Sequence, residues 1–191
     1  MREDHLYSVI YQDIQEALAE IQQLTQDQHL CALGLGMVED LCGFFYVGCT
    51  IENLKSFEDV YEAWWISEWQ YSSTANNHTH DAIMALYEAL GKQCTDEQYV
   101  ALREHYQNTI IQALQDLRDA GKLKNQQGEE IMVIIQYADS FDEDFEESSF
   151  AQINPELLVP LFKNRFKQKS GENLYDYLLQ KNSSLNTFKA Q

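Results

Sequence analysis

The chain has 191 residues, 45% of them apolar and 12% aromatic, with two prolines and eight glycines. That composition supports one domain with a core and argues against disorder and against a loop-rich all-β design. The net charge of −18 argues against a nucleic-acid binder, because phosphate recognition needs a positive surface.

The elements follow in chain order. Leu6, Ile10, Ile14, Leu18, Ile21 and Leu24 recur at spacings of three and four, which predicts a helix over 6–28. Residues 29–50 read as two strands around a Glu39-Asp40 break, and the short break predicts a hairpin. Thr50 is a helix-capping residue with Glu52 near the positive helix end, Ser56 is a second possible start, and the helix is expected to run to about Trp64. Residues 72–80 form a polar loop by composition. A helix over 80–93 should stop near Gly91. Thr95 and Gln98 fit a capping box opening a long helix that ends at Gly121.

The β-branched run at 131–138 predicts a central strand. Residues 139–149 are an acidic loop or helix start. Asn154 and Pro155 then predict the cap and first position of a helix, with Pro160 a source of distortion. Residues 170–191 are a short amphipathic helix or a loosely held tail. The expected fold is a single α+β domain over 1–191, with a small, largely antiparallel sheet packed with several α-helices.

No run of about 18 apolar residues predicts a membrane helix, and the polar, acidic start lacks the pattern of a secretory signal. Cys31, Cys42, Cys49 and Cys94 show no paired C-x-x-C spacing and read as buried, reduced thiols. The expected setting is therefore the cytoplasm, with no membrane partner. Charge is unevenly placed: residues 1–160 hold 7 Lys/Arg against 29 Asp/Glu, and residues 161–191 hold 6 against 2. An acidic body attracts a basic partner, and it also serves solubility alone.

Short motifs spread over most of the chain carry a resemblance. They are Cys49-Thr50-Ile51-Glu52 after the second strand, Trp65 with Glu68-Trp69-Gln70-Tyr71, Asp139-Ser140 at a strand end, and Asn154-Pro155. This arrangement resembles the bacterial family known as domain of unknown function 4303. Cys49 and Ile51 depart from that family's Asn-Thr-Glu-Glu turn. The resemblance implies a small cytoplasmic bacterial α+β protein and no established reaction. Some small bacterial proteins of this general type accompany toxins as immunity or accessory proteins.

Two segments stand out as sites. All three tryptophans fall within 61–71. Read as extended, Trp65, Ser67, Trp69 and Tyr71 share one face, and Glu68 lies on the other near the core. Trp65, Glu68, Trp69 and Tyr71 then form a candidate ligand pocket with aromatic walls, or a packed core anchor. The second is the acidic cluster Asp139, Asp142, Glu143, Asp144, Glu146 and Glu147, interleaved with Phe141, Phe145 and Phe150. It reads as a docking patch for a basic protein, as a solvated loop, or as a surface onto which the chain's own basic 163–169 closes.

His78, His80, Asp81 and His105 are weak metal candidates, and Cys31 or Cys49 with His29 or His105 are weak nucleophile candidates. No catalytic residue, metal or cofactor is assigned. No phosphate-binding glycine loop or serine elbow occurs. The expected function is a non-enzymatic interaction module, immunity-like or accessory, binding a basic protein. The alternatives are a small-ligand binder or enzyme using the tryptophan block with Glu68, and an oligomer-forming module.

Overall fold

The run Leu30–Met37 is buried along its whole length. A strand buried on both sides must lie inside a sheet covered on both faces. A computed structural model describes residues 3–38, 44–75, 77–91, 93–167 and 172–189, and it meets that condition. The helices are α1 (Glu3–Leu24), α2 (Ile51–Ser56), α3 (His78–Leu90), α4 (Asp96–Asp119), α5 (Glu143–Ile153), α6 (Val159–Lys163) and α7 (Leu174–Lys189). The strands are β1 (Leu30–Met37), β2 (Phe44–Thr50), β3 (Tyr71–Ser72) and β4 (Met132–Tyr137), in the order β3-β2-β1-β4. β2 pairs antiparallel with β1 and with β3, while β4 runs parallel to β1. The fold is α+β with a four-stranded mixed sheet.

Helices cover both faces. On one, Leu6, Ile10, Ile14 and Ile21 of α1 meet Ile110, Leu114 and Leu117 of α4 over Leu33, Leu35, Val133 and Ile135 of the sheet. On the other, Trp64, Ile66, Trp69, Phe150, Phe162, Leu174 and Leu178 pack against Cys31, Val47, Met132 and Ile134. Gly34 is what lets this second layer sit close. A Cβ there would lie 2.9 Å from Val47 Cγ2, 3.0 Å from the Trp69 ring and 3.1 Å from Ile66 Cβ, so any side chain would push this layer outward.

Local signals place most boundaries. Thr50 accepts from Asn53 N at 3.0 Å and caps α2. Thr95 and Gln98 exchange both capping-box hydrogen bonds, and Gly121 takes a φ of 65° just past α4. Asn77 caps α3 through His80 N at 3.0 Å.

Four expectations are corrected. Ser56 ends α2 rather than starting a helix, and its hydroxyl bonds back to Asn53 O at 2.7 Å. The chain beyond it forms two 3₁₀ turns, Glu62–Trp64 and Ile66–Glu68. β4 is an edge strand, not a central one. Its outer edge is closed by Asn154, which accepts from Val133 N and donates to Val133 O, each at 2.8 Å. One side chain thus stands in for a neighbouring strand and satisfies buried backbone groups, so β4 keeps the apolar, two-sided pattern of a central strand. Asn154 accordingly closes α5 instead of opening the next helix, which is split into a 3₁₀ turn, Glu156–Leu158, and α6. The hairpin tip at Glu39-Asp40 and Cys42 lie outside the described residues.

Candidate functional site

The tryptophan block is not a strand. Its two 3₁₀ turns are held by Gln136 of β4, which accepts from Ile66 N at 3.1 Å and donates to Trp64 O at 3.3 Å. The turns send Trp64 and Trp69 inward, at 1% and 4% exposure, and leave Trp65 half-buried. Trp69 Nε1 donates to Ala63 O at 3.0 Å. Glu68, expected near the core, is exposed. A 3₁₀ turn has a period close to three, so the alternation of an extended chain does not apply. Tyr71 lies on the two-residue strand β3 and its hydroxyl accepts from Gln28 Nε2. Trp65, Glu68, Trp69 and Tyr71 therefore do not converge on one cavity.

Gln136 also donates to Glu146 Oε1 at 3.0 Å, and Glu146 Oε2 faces Arg165 Nη2 at 3.1 Å. Both charged side chains are 1% exposed. Glu146 is thus a core residue and not part of a docking surface. Burial raises its pKa, while Gln136 and Arg165 act the other way. Arg165 Nη1 donates to Phe162 O at 3.2 Å, and its guanidinium lies 4.1 Å from the Phe162 ring centroid and 4.5 Å from that of Phe166. Glu147 lies 3.3 Å from Lys163 and 3.7 Å from Arg165. Lys163 and Arg165 of the basic run thus close onto the acidic segment. Asp142 caps α5 at Phe145 N and sits 3.5 Å from Arg103.

This network brings the two sequence candidates together at the surface. Tyr61, Trp65, Phe141 and Phe166 form a closed quadrilateral of rings. Its sides are 5.9 Å (Tyr61–Trp65), 6.0 Å (Trp65–Phe141), 6.1 Å (Phe141–Phe166) and 4.6 Å (Phe166–Tyr61). Tyr61 and Phe141 are 44% and 46% exposed. The segments carrying three of these rings also carry the exposed acids Glu58, Asp59, Glu62, Glu68, Asp139, Glu143 and Asp144. No Lys or Arg occurs within 56–91 or 125–162; Lys167 is the exposed cation beside Phe166. Chemically the patch offers apolar faces and π-density within a negative field.

The model of one protein family, a domain of unknown function (DUF4303), matches residues 10–155. The chain belongs to the DUF4303 family. No curated protein and no solved structure matches it. Three of the four rings of the patch fall within the matched span of this DUF4303 protein, and Phe166 with its neighbour Arg165 follows that span.

The remaining candidates are dispersed. His78 Nδ1 lies 3.1 Å from Asp13 Oδ1, and Asp13 also accepts from Thr79 N at 2.6 Å. Among the described residues no group of three or more His, Cys, Asp or Glu is placed to hold a metal. Cys31 and Cys49 are buried free thiols on adjacent strands, with Cys31 Sγ donating to Cys49 O at 3.2 Å. Burial raises the pKa of Cys49 and so disfavours its thiolate, and His29 pairs with Glu129 at 3.0 Å. Among the described residues no helix is long and apolar enough to cross a membrane.

Sequence reading missed Gln136, Arg165 and Phe166. The signal for the last two was the basic run 163–169 set against the acidic 139–149. Gln136 carried no signal beyond being a polar residue in an otherwise apolar strand.

Proposed function

We propose that this DUF4303 protein is a non-enzymatic binding module of the bacterial cytoplasm that receives a basic partner protein, in an immunity-like or accessory role. One observation carries the reading: the ring quadrilateral Tyr61, Trp65, Phe141 and Phe166 is partly exposed and lies on acid-rich segments. Interface energy concentrates in aromatic anchors, while surrounding charge sets encounter rate and partner choice. Rings that stack a guanidinium from below, as Phe166 does with Arg165, have the chemistry to accept another cation from outside. The quadrilateral rests on the Gln136–Glu146–Arg165 network, so it is preorganised, which limits the ordering cost of binding. The competing small-ligand reading loses its geometric support, because Glu68 points to solvent and Trp69 is packed.

The test uses fluorescently labelled Lys/Arg-rich peptides with a central leucine, titrated at low and at physiological salt. Binding should be micromolar and weaken as salt rises, since screening acts over about 8 Å at physiological ionic strength. Phe141→Ala should weaken it about 30-fold, the equivalent of roughly 2 kcal/mol for an anchor residue. Glu62→Lys should mainly slow association. A salt-insensitive complex, an undiminished one in Phe141→Ala, or no complex at micromolar concentration would overturn the proposal.

A further inference from the structure

A separate cavity of about 120 Å³ lies at the far end of β4 from the aromatic patch, where the starts of β1 and β4 meet the end of α4 and the side of α7. Leu30, Ile51, Met132, Leu158 and Leu178 give it an apolar wall. His29, Arg118, Glu129, Glu130, Tyr177 and Lys181 are its charged and hydroxyl-bearing neighbours.

The hydrogen-bond accounting around this cavity is uneven. The acceptors are largely committed. Glu129 Oε2 lies 3.0 Å from His29 Nε2 and accepts from Asn125 Nδ2 at 3.3 Å. Asn125 Oδ1 accepts from Gln127 N and Glu129 N at 3.1 and 2.9 Å. The donors have capacity left. Arg118 donates from Nε to Ile153 O at 3.3 Å and from Nη2 to Asn154 Oδ1 at 3.1 Å. Its Nη1 is buried without a hydrogen bond, and Glu130 Oε2 stands 3.6 Å from it. Among the described residues, neither the Tyr177 hydroxyl nor the Lys181 ammonium has a partner. A buried N–H without an acceptor is costly, which singles out Arg118 Nη1. The part-buried Tyr177 hydroxyl and the exposed Lys181 ammonium add two donors at the rim, a set that suits a ligand that only accepts.

Size and net charge narrow the class. The volume corresponds to about four waters at roughly 30 Å³ each, far below the roughly 300–1,000 Å³ of sites for drug-sized ligands. Glu129 and Glu130 offset the cations, so a single negative charge suits the site and a multiply charged phosphate does not. We propose that this cavity binds a small aliphatic carboxylate, its oxygens received by Arg118, Lys181 and Tyr177 and its hydrocarbon by Leu30, Ile51, Met132 and Leu158. The site is independent of the aromatic patch and shares no residue with it.

The test is calorimetric titration and thermal shift with sodium isovalerate and sodium butyrate, against isovaleramide as the uncharged isostere. The acids should bind saturably at one site and raise the melting temperature, and the amide should bind at least about tenfold more weakly, because charge-assisted hydrogen bonds are about twice as strong as neutral ones. Lys181→Met and Tyr177→Phe each remove only a polar head, and phenylalanine keeps the ring that packs against the core, so both should fold. Each should weaken isovalerate several-fold and leave the amide unchanged. No saturable binding of either acid, equal binding of acid and amide, or unchanged isovalerate affinity in both variants would overturn the assignment.

Discussion

The two faces of the sheet are built on different principles. The α1/α4 face is closed by aliphatic side chains from regular helices, Ile10, Ile14, Ile21, Ile110 and Leu114 among them, all fully buried. Its polar contacts include buried ones, Asp13 with Thr79 N and Tyr106 with Tyr137, and peripheral ones, as where Glu20 of α1 reaches Ser73 and Thr74. The opposite face is closed by short turns and short helices around a buried ion pair, Glu146–Arg165, with Gln136 between that pair and the tryptophan turns. Aliphatic packing on long helices tolerates exchange as long as volume is kept. A buried polar network works only when every member is satisfied. The aromatic patch belongs to the second face, and the cavity lies where the end of α4, from the first face, meets α7 of the second; at both, the geometry is specified by named hydrogen bonds and not by volume alone.

The strongest way to break this comparison is to cut the ion pair. Arg165→Ala strands Glu146 in the core and should cost about 3–5 kcal/mol, the usual range for removing one partner of a buried pair. Urea denaturation followed by tryptophan emission would measure it, since Trp64 and Trp69 pack on this face. The double variant Glu146→Leu with Arg165→Met should be more stable than either single variant, because desolvation of both charges is relieved together. A double variant no more stable than the single variants would mean that the pair is net stabilising relative to apolar side chains, and the contrast between the faces would then be one of strength and not of specificity.

Asn154→Ala sharpens the comparison at the sheet edge. It frees Val133 N–H and C=O and removes the acceptor of Arg118 Nη2. The expected cost is about 1–3 kcal/mol for buried groups left unsatisfied. Amide exchange should locate it, with Val133 losing protection while the β1–β2 pairing keeps its own. Uniform loss of protection across the sheet would show that Asn154 supports the fold as a whole and not this edge.

What could be read from the residues follows the same division. The α1 stripe, the Thr95–Gln98 box, Gly91, Gly121 and the apolar run of β1 are local signals, decided within a few residues, and they located the helices and strands of the first face. The α+β class follows from their order. On the second face the deciding contacts are distant in sequence: Gln136 to Ile66 spans 70 positions and Glu146 to Arg165 spans 19. No periodicity within 61–71 predicts 3₁₀ turns whose shape is set by a side chain on another strand. Glu68 and Glu146 show the consequence. Each is an acid with an aromatic residue on one side, Trp69 or Phe145, and the one expected near the core faces water while the one expected at the surface is buried. The cavity at Arg118 had no local pattern, because its walls come from six separate stretches of chain.

The smallest effect expected is at Glu20, where the two faces differ even in the sign of their pH dependence. Glu20 accepts from Ser73 Oγ at 2.6 Å, Thr74 Oγ1 at 2.6 Å, Thr74 N at 3.0 Å and Ala75 N at 2.9 Å. Those donors, Ser73 first, hold its carboxyl below the usual range. A carboxylate with a lowered folded pKa contributes stability that is present above its unfolded value, about 4.3, and is lost as pH falls through the folded value. Glu20→Gln should therefore cost about 0.5–1 kcal/mol near neutrality, and the gap to wild type should close on acidification. Glu146 runs the other way. Burial raises its folded pKa, so its contribution is complete below the unfolded value and is lost as pH rises through the folded one. Subtracting the Glu20→Gln stability curve from the wild-type curve isolates the first limb, and what remains above the ordinary carboxylate range includes the Glu146 limb. If the Glu20→Gln gap is constant with pH, the loop at 73–75 is held by the shape of its backbone and not by this charge.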